Sequence, residues 1–205
     1  MWRCGTRIAF NHTKQPATAI ASMDADKRYK FLREIESRIL TAVCEGDLDQ
    51  AVRLTCLAYG PVCNSADVRA AFTIEPKILS GINPRAMIHI RRSAALLMLG
   101  ARTQAAVAIP GGLETGAKVD ARVAAEMICS YIQSRHQVRY AERCRDPIKS
   151  IRIINSENSP CSACRKIAER IWAVGEQPEI PYEHCENVNG CHCYYMTIAK
   201  EGSLS

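Results

Sequence analysis

The chain has 205 residues, 47% of them hydrophobic and 23% charged, with a formal net charge of +6. This balance excludes wholesale disorder and a fibrous protein, and the length suffices for one good core or for one domain plus a small appendage. The longest purely apolar stretch, Ala94 to Gly100, falls far short of the roughly eighteen residues a membrane span needs.

The basic excess is compatible with a nucleic-acid partner but does not require one. Residues 1–23 carry Arg3, Arg7 and Lys14 among few apolar residues, without the continuous apolar stretch of a secretory signal. They are expected to be a disordered leader, or to precede a true start at Met23. Eleven cysteines are an odd number in a chain this long with no export signal, so reduced thiols and a cytoplasmic location are expected.

From Asp24 the pattern becomes helical. Leu32, Ile35, Ile39 and Val43 recur at three- and four-residue spacing, giving an amphipathic helix closed by Gly46. Asp47, with Gln50 three residues on, opens a second helix from Leu48 to about Ala58, which offers Leu48, Ala51, Val52, Thr55 and Cys56 to the core. Ser65 caps a short helix through Phe72, and Pro76 and Ser80-Gly81 make the following stretch irregular. Asn83-Pro84 is a capping side chain followed by a proline at the first helical position; Met87, Ile90, Ala94, Leu97 and Met98 then form one stripe that Gly100 stops.

After Gln104 to Ile109, the loop Pro110-Gly111-Gly112 leads to the longest predicted helix, residues 117–143. Val119, Val123, Met127, Tyr131, Ser134 and Val138 trace a seam along it that can bury within the chain or across a homodimer. Pro147 ends this helix, and the β-branched run Ile148 to Ile154 reads as a strand. The expected architecture is therefore mainly α. A helical domain, 24–145, precedes a small Cys-rich metal-binding module, 146–199, with a short strand, and residues 200–205 form a tail.

The chemistry-bearing residues lie in that module. Cys161-x-x-Cys164 puts two sulfurs a turn apart, ahead of a helix-forming stretch from Arg165 to Trp172, where free N–H groups favour thiolate. About twenty residues later come His184-Cys185 and Cys191-His192-Cys193. Two such knuckles suit a tetrahedral zinc, so Cys161, Cys164, Cys185, Cys191 and Cys193 are the candidate ligands. In an extended chain Cys191 and Cys193 lie about 7 Å apart, too far for one ion unless Gly190 permits a tight turn. The expected set is Cys161, Cys164, Cys185 and one of Cys191 or Cys193, with His184 as substitute. Few large apolar residues follow Ser159, and a structural zinc, contributing roughly 10–16 kcal/mol on apparent scales, would stand in for the missing core. The bland alternative is a set of incidental buried thiols in a chain that uses cysteine freely, as at Cys44, Cys56, Cys63, Cys129 and Cys144.

The succession of strand, Cys161-x-x-Cys164, helix, Pro178-x-x-Pro181, His184-Cys185 and Cys191-His192-Cys193 resembles the cysteine-rich C-terminal end of phage minor head (head morphogenesis) proteins. It is similar, more closely, to a short segment of bacterial proteins of unknown function that ends in Cys-x-Cys-x-Tyr, matched here by Cys191, Cys193 and Tyr195. The resemblance implies a small zinc-type knuckle and a bacterial or phage origin, and covers about a quarter of the chain, Ile148 to Ile198. It departs from the phage pattern in the longer spacing from His184 to Cys191 and in His192, where arginine is common.

Two basic spots are candidate partner surfaces. Arg135, Arg139 and Arg143 repeat every four residues on the long helix and suit phosphate contacts, although a solvated face paired with Glu142 explains them as well. His89-Ile90-Arg91-Arg92 is a weaker case. Gly111-Gly112-x-x-x-Gly116 lacks the Lys-Ser/Thr of a phosphate loop. The expectation is thus a non-enzymatic zinc-binding module that docks a protein or a nucleic acid. The alternative is an enzyme that uses the Cys/His cluster for metal-assisted hydrolysis or redox chemistry.

Overall fold

The computed structural model describes residues 22–60, 65–144, 148–155 and 160–199. Most of the expected leader, the expected tail 200–205, Cys63 and the helix-ending Pro147 lie outside the described residues. The described fold is mainly helical, with seven α-helices and one three-stranded sheet.

Local capping chemistry decides where the helices begin and end. Helix α1, Ala25–Glu45, starts where the Asp24 side chain accepts from the Lys27 N–H, and stops at Gly46, whose left-handed backbone returns its N–H to the carbonyls of Ala42 and Val43. Asp47 caps α2, Leu48–Tyr59, by accepting from the Gln50 N–H. Of the residues expected inward on α2, Ala51 and Thr55 are buried, joined by Leu54. Helix α3, Ser65–Thr73, and a 3₁₀ turn, Lys77–Leu79, lead to α4, Pro84–Met98, which the Asn83 side chain caps through the Arg85 N–H.

Helix α4 is the hub of the helical part. Ile90, Ala94, Ala95 and Leu96 on it are fully buried, and it packs against α1, α3, α5 (Arg102–Val107) and α6 (Ala121–Arg143). The basic spot on α4 is absorbed structurally. Arg92 donates to the Cys44 carbonyl at 2.9 Å, Arg91 pairs with Glu75 at 3.3 Å, and a ring nitrogen of His89 meets the Ala108 carbonyl at 3.1 Å.

Helix α6 begins at Ala121 rather than 117, because Asp120 caps it by accepting from the Arg122 N–H. Val119 therefore falls in the preceding loop, where its carbonyl accepts from the Thr115 hydroxyl. The helix also buries two faces instead of one seam. Ala121, Ala124, Ala125, Ile128 and Ile132 are buried, and small side chains of this kind let α6 lie close to α4. Val123 and Met127 meet the chain at Gly190, and Tyr131, Ser134 and Val138 line a cleft with Ile180 and Tyr195. The seam read from the sequence is thus covered within the chain by the C-terminal part.

That part is built on β1, Ile148–Asn155, which pairs antiparallel with β2, Ile171–Ala173, on one side and β3, Cys193–Ala199, on the other. Ile151 stands opposite Trp172 and Thr197, and Ile153 opposite Tyr195. Ile151, Ile153 and Tyr195 are buried on one face, while Ile171, Tyr194 and Met196 are exposed. The sequence reading expected one strand and a helix running to Trp172. Instead α7 covers Ser162–Ala168 and Trp172 joins the sheet, its indole N–H donating to the Ile167 carbonyl at 3.2 Å. The pairing of β2 and β3 with β1 compensates backbone groups that a longer helix would have left facing the sheet edge.

Gly190 is a close joint between the two parts. It is buried with φ +91°, and a Cβ built there would come within 2.6 Å of Val123 Cγ1. A Gly190→Ala chain is expected to lose about 1–3 kcal/mol from backbone strain alone, with a further loss from the clash. Urea denaturation should show the added change Val123→Ala recovering the steric share only.

Candidate metal centre

Five cysteines from three chain segments meet between α7, the loop before β3 and the end of β1. Cys161 is the N-cap of α7: its sulfur accepts from the Cys164 N–H at 3.4 Å, which turns both thiols to the same side. Cys185 follows a turn in which its N–H donates to the Tyr182 carbonyl at 3.0 Å. Asn187 and Gly190 close the next turn, through the bond from the Gly190 N–H to the Asn187 carbonyl, and deliver Cys191 beneath the Tyr182 N–H, which donates to its sulfur at 3.3 Å. Cys193 opens β3 opposite Asn155, and its thiol donates to Asn155 Oδ1 at 3.1 Å.

The sulfurs form two triads that share Cys164. Cys161, Cys164 and Cys185 make one, and Cys164, Cys191 and Cys193 the other; within each, all sulfurs lie within 4.8 Å of one another. Cys161 and Cys185 are 3.8 Å apart, and Cys164 and Cys191 are 3.9 Å apart. Four sulfurs around a zinc at about 2.3 Å are spaced about 3.8 Å. A cavity of about 10 Å³ lies among Asn155, Cys161, Cys164, Cys185 and Cys193, about the room of a single water-sized sphere. The residues Cys164, Cys191 and Cys193 are only 2%, 4% and 4% exposed. This cluster could hold a metal ion.

The expectation that Cys191 and Cys193 stand too far apart rested on an extended chain. Strand β3 starts only at Cys193, and the turn through Gly190 brings both sulfurs into one triad. His184, expected as a substitute ligand, belongs to neither triad. Its side chain is 70% exposed, with its ring edge-on to Tyr182 and Glu183 3.8 Å away. Asn155 is the neighbour that sequence reasoning missed, since only strand pairing brings it to Cys193.

Crowding governs the protonation of the thiols. Hydrogen bonding to Cys185, then to Cys191 and Cys193, and burial push Cys164 far up. Hydrogen bonds from Cys164, Cys185 and Cys193 pull Cys191 well below the ordinary thiol range, overriding burial. At Cys185 the Cys164 bond lowers the pKa, but Cys191 and burial prevail and push it up to about 12. Cys193 is raised by the same balance. Burial opposes ionisation of Cys161, yet the backbone N–H groups of Cys164 and Glu186 bring it down. Without a cation, crowding thus favours the thiolate at Cys191 and, in the same direction, at Cys161, and favours the protonated thiol at the other three.

The three candidate phosphate contacts, Arg135, Arg139 and Arg143, are exposed along α6. Arg135 lies over the Tyr131 ring at 5.8 Å. Arg135 and Arg139 line a cleft of about 290 Å³ with Glu142 and Glu179, so the surface there carries both signs.

Cation uptake must expel the protons held on the thiols that ligate it, Cys164 and Cys185 among them, so metal affinity should fall as pH is lowered; calorimetric titration in buffers of different ionisation enthalpy would read the released protons. Changing Cys164, the thiol common to both triads, to Ser should abolish metal binding, whereas His184→Ala should leave the metal content of the purified protein unchanged. Among the described residues no helix is long and apolar enough to cross a membrane. Compared with known protein families, curated proteins and solved structures, the chain matches none.

Proposed function

We propose that the cysteine cluster holds one structural zinc, and that the chain is a non-enzymatic, bacterial or phage-associated binding module acting on a protein or nucleic-acid partner. The observation that carries this reading is the convergence of five thiols in two triads that share Cys164, with one sulfur pair in each, Cys161–Cys185 and Cys164–Cys191, at the edge spacing of a tetrahedral thiolate site. Cys161, Cys164, Cys185 and Cys191 would be the ligands, with Cys193 left on Asn155. Zinc supplies no redox chemistry; it would tie α7, the 182–190 loop and β3 to one point.

Energetics favour a structural role. Such an ion contributes roughly 10–16 kcal/mol on apparent scales, against a net domain stability of about 5–15 kcal/mol. A catalytic zinc keeps an open position for substrate or water. The space among the sulfurs is about 10 Å³, the larger cleft of about 170 Å³ lies on the α6 side of Cys191 and Cys193, and Glu183 pairs with Lys77 and His184.

Protein purified without added metal should carry one zinc per chain, and a chelator should remove it with loss of amide protection in β1 and β3, read by hydrogen exchange. Finding no zinc, or unchanged protection after its removal, overturns the structural role. For the nucleic-acid version, Arg135, Arg139 and Arg143 supply the contacts. Changing all three to Glu should abolish low-salt binding to duplex DNA or RNA, and changing them to Gln should flatten the salt dependence by a slope of about 3. Retention of both properties leaves the protein-docking version.

A further inference from the structure

One tetrahedral zinc uses four of the five clustered thiols and leaves a buried one over. The arrangement accounts for the fifth in another way. Cys164 belongs to two triads, with Cys161 and Cys185 on one side and Cys191 and Cys193 on the other. Two trigonal sites that share one sulfur require five thiolates, the number present. Two tetrahedral sites sharing one would require seven. Trigonal thiolate coordination is a preference of copper(I), a soft monovalent d¹⁰ ion that cysteine sulfur selects.

The distances allow it. With metal–sulfur bonds near 2.3 Å, a trigonal site spaces its sulfurs about 4.0 Å apart, against 3.8 Å for Cys161 and Cys185 and 3.9 Å for Cys164 and Cys191. Spacing alone therefore does not separate copper(I) from zinc; the count of sulfurs and the shared one do. Burial of Cys164, Cys191 and Cys193 to 2%, 4% and 4% exposure shields one ion from water and oxidant, while the half-buried Cys161 and Cys185 hold the other nearer the surface.

We propose that this cluster binds two copper(I) ions bridged by the Cys164 sulfur, with Cys161 and Cys185 completing one site and Cys191 and Cys193 the other. The proposal rests on the reading of the cluster as a metal centre and extends it to a second ion class. Starting from the zinc form, two copper(I) ions enter while one zinc(II) ion and the Cys193 proton leave, so the site goes from a net charge of about −2 to about −3 as the fifth thiolate forms, and no electron is transferred.

The test is an anaerobic titration of the full chain with copper(I), in a competing copper(I) chelator strong enough to strip isolated thiols, with released zinc measured alongside. The wild type should saturate at two copper ions per chain as one zinc is released. Cys193→Ser should keep its zinc and saturate at one copper. X-ray absorption of the loaded wild type should show three sulfurs per copper and a copper–copper vector, a readout that does not depend on the variant folding. Saturation of the wild type at one copper, or absence of the copper–copper vector, overturns the proposal while leaving the zinc reading intact. Failure of the wild type to bind either metal overturns both.

Discussion

The C-terminal part depends on the meeting of sulfur atoms that the chain separates by as many as thirty-odd residues, between Cys161 and Cys193. Three devices bring them together. A helix N-terminus turns Cys161 and Cys164 inward, a glycine turn redirects Cys191, and pairing of β3 with β1 sets Cys193 beside Asn155. The sheet and the cluster constrain each other. Strand β3 begins with a cluster cysteine, and the shared triad member Cys164 lies on the helix that joins β1 to β2.

This mutual constraint explains how so little apolar mass makes an ordered unit. Ile151, Ile153, Ile167, Ile180 and Tyr195 are its main buried apolar side chains. They do not form an isolated core, because Tyr195 and Ile180 meet the face of α6 that carries Tyr131 and Val138. The Tyr195 hydroxyl, buried with its ring, is satisfied by donating to the Pro178 carbonyl at 2.6 Å, so burying the aromatic there leaves no orphaned polar group. The Tyr131 hydroxyl and the Lys77 N–H both donate to Glu179, tying the same loop to the helical part at 3.3 Å and 3.2 Å. A metal at the cysteines would thus brace a joint whose other side is ordinary packing.

The two-faced burial of α6 has a consequence for partner binding. Its alanine-rich face is spent on α4, and its larger side chains on the tail. What α6 offers outward is its charged side, where Arg122, Arg135, Arg139 and Arg143 outnumber Glu126 and Glu142. Elsewhere the exposed apolar side chains of the sheet, Ile171, Tyr194 and Met196, lie on the face away from the helices.

Local chemistry made much of this legible from the sequence alone. Asp24, Asp47 and Asn83 announce helix starts, and Gly46 announces a stop, because a cap is decided by one side chain or one backbone angle. The five cysteines were recognisable as a group because sulfur in paired knuckles has few other uses. Tertiary structure alone decided which sulfurs meet, that the turn at Gly190 defeats the extended spacing of Cys191 and Cys193, and that His184 stays outside. It also decided that Trp172 joins a strand and that the α6 seam is filled from within. Each of these depends on pairing or packing between segments far apart in the chain, and no local propensity encodes a contact whose partner lies elsewhere.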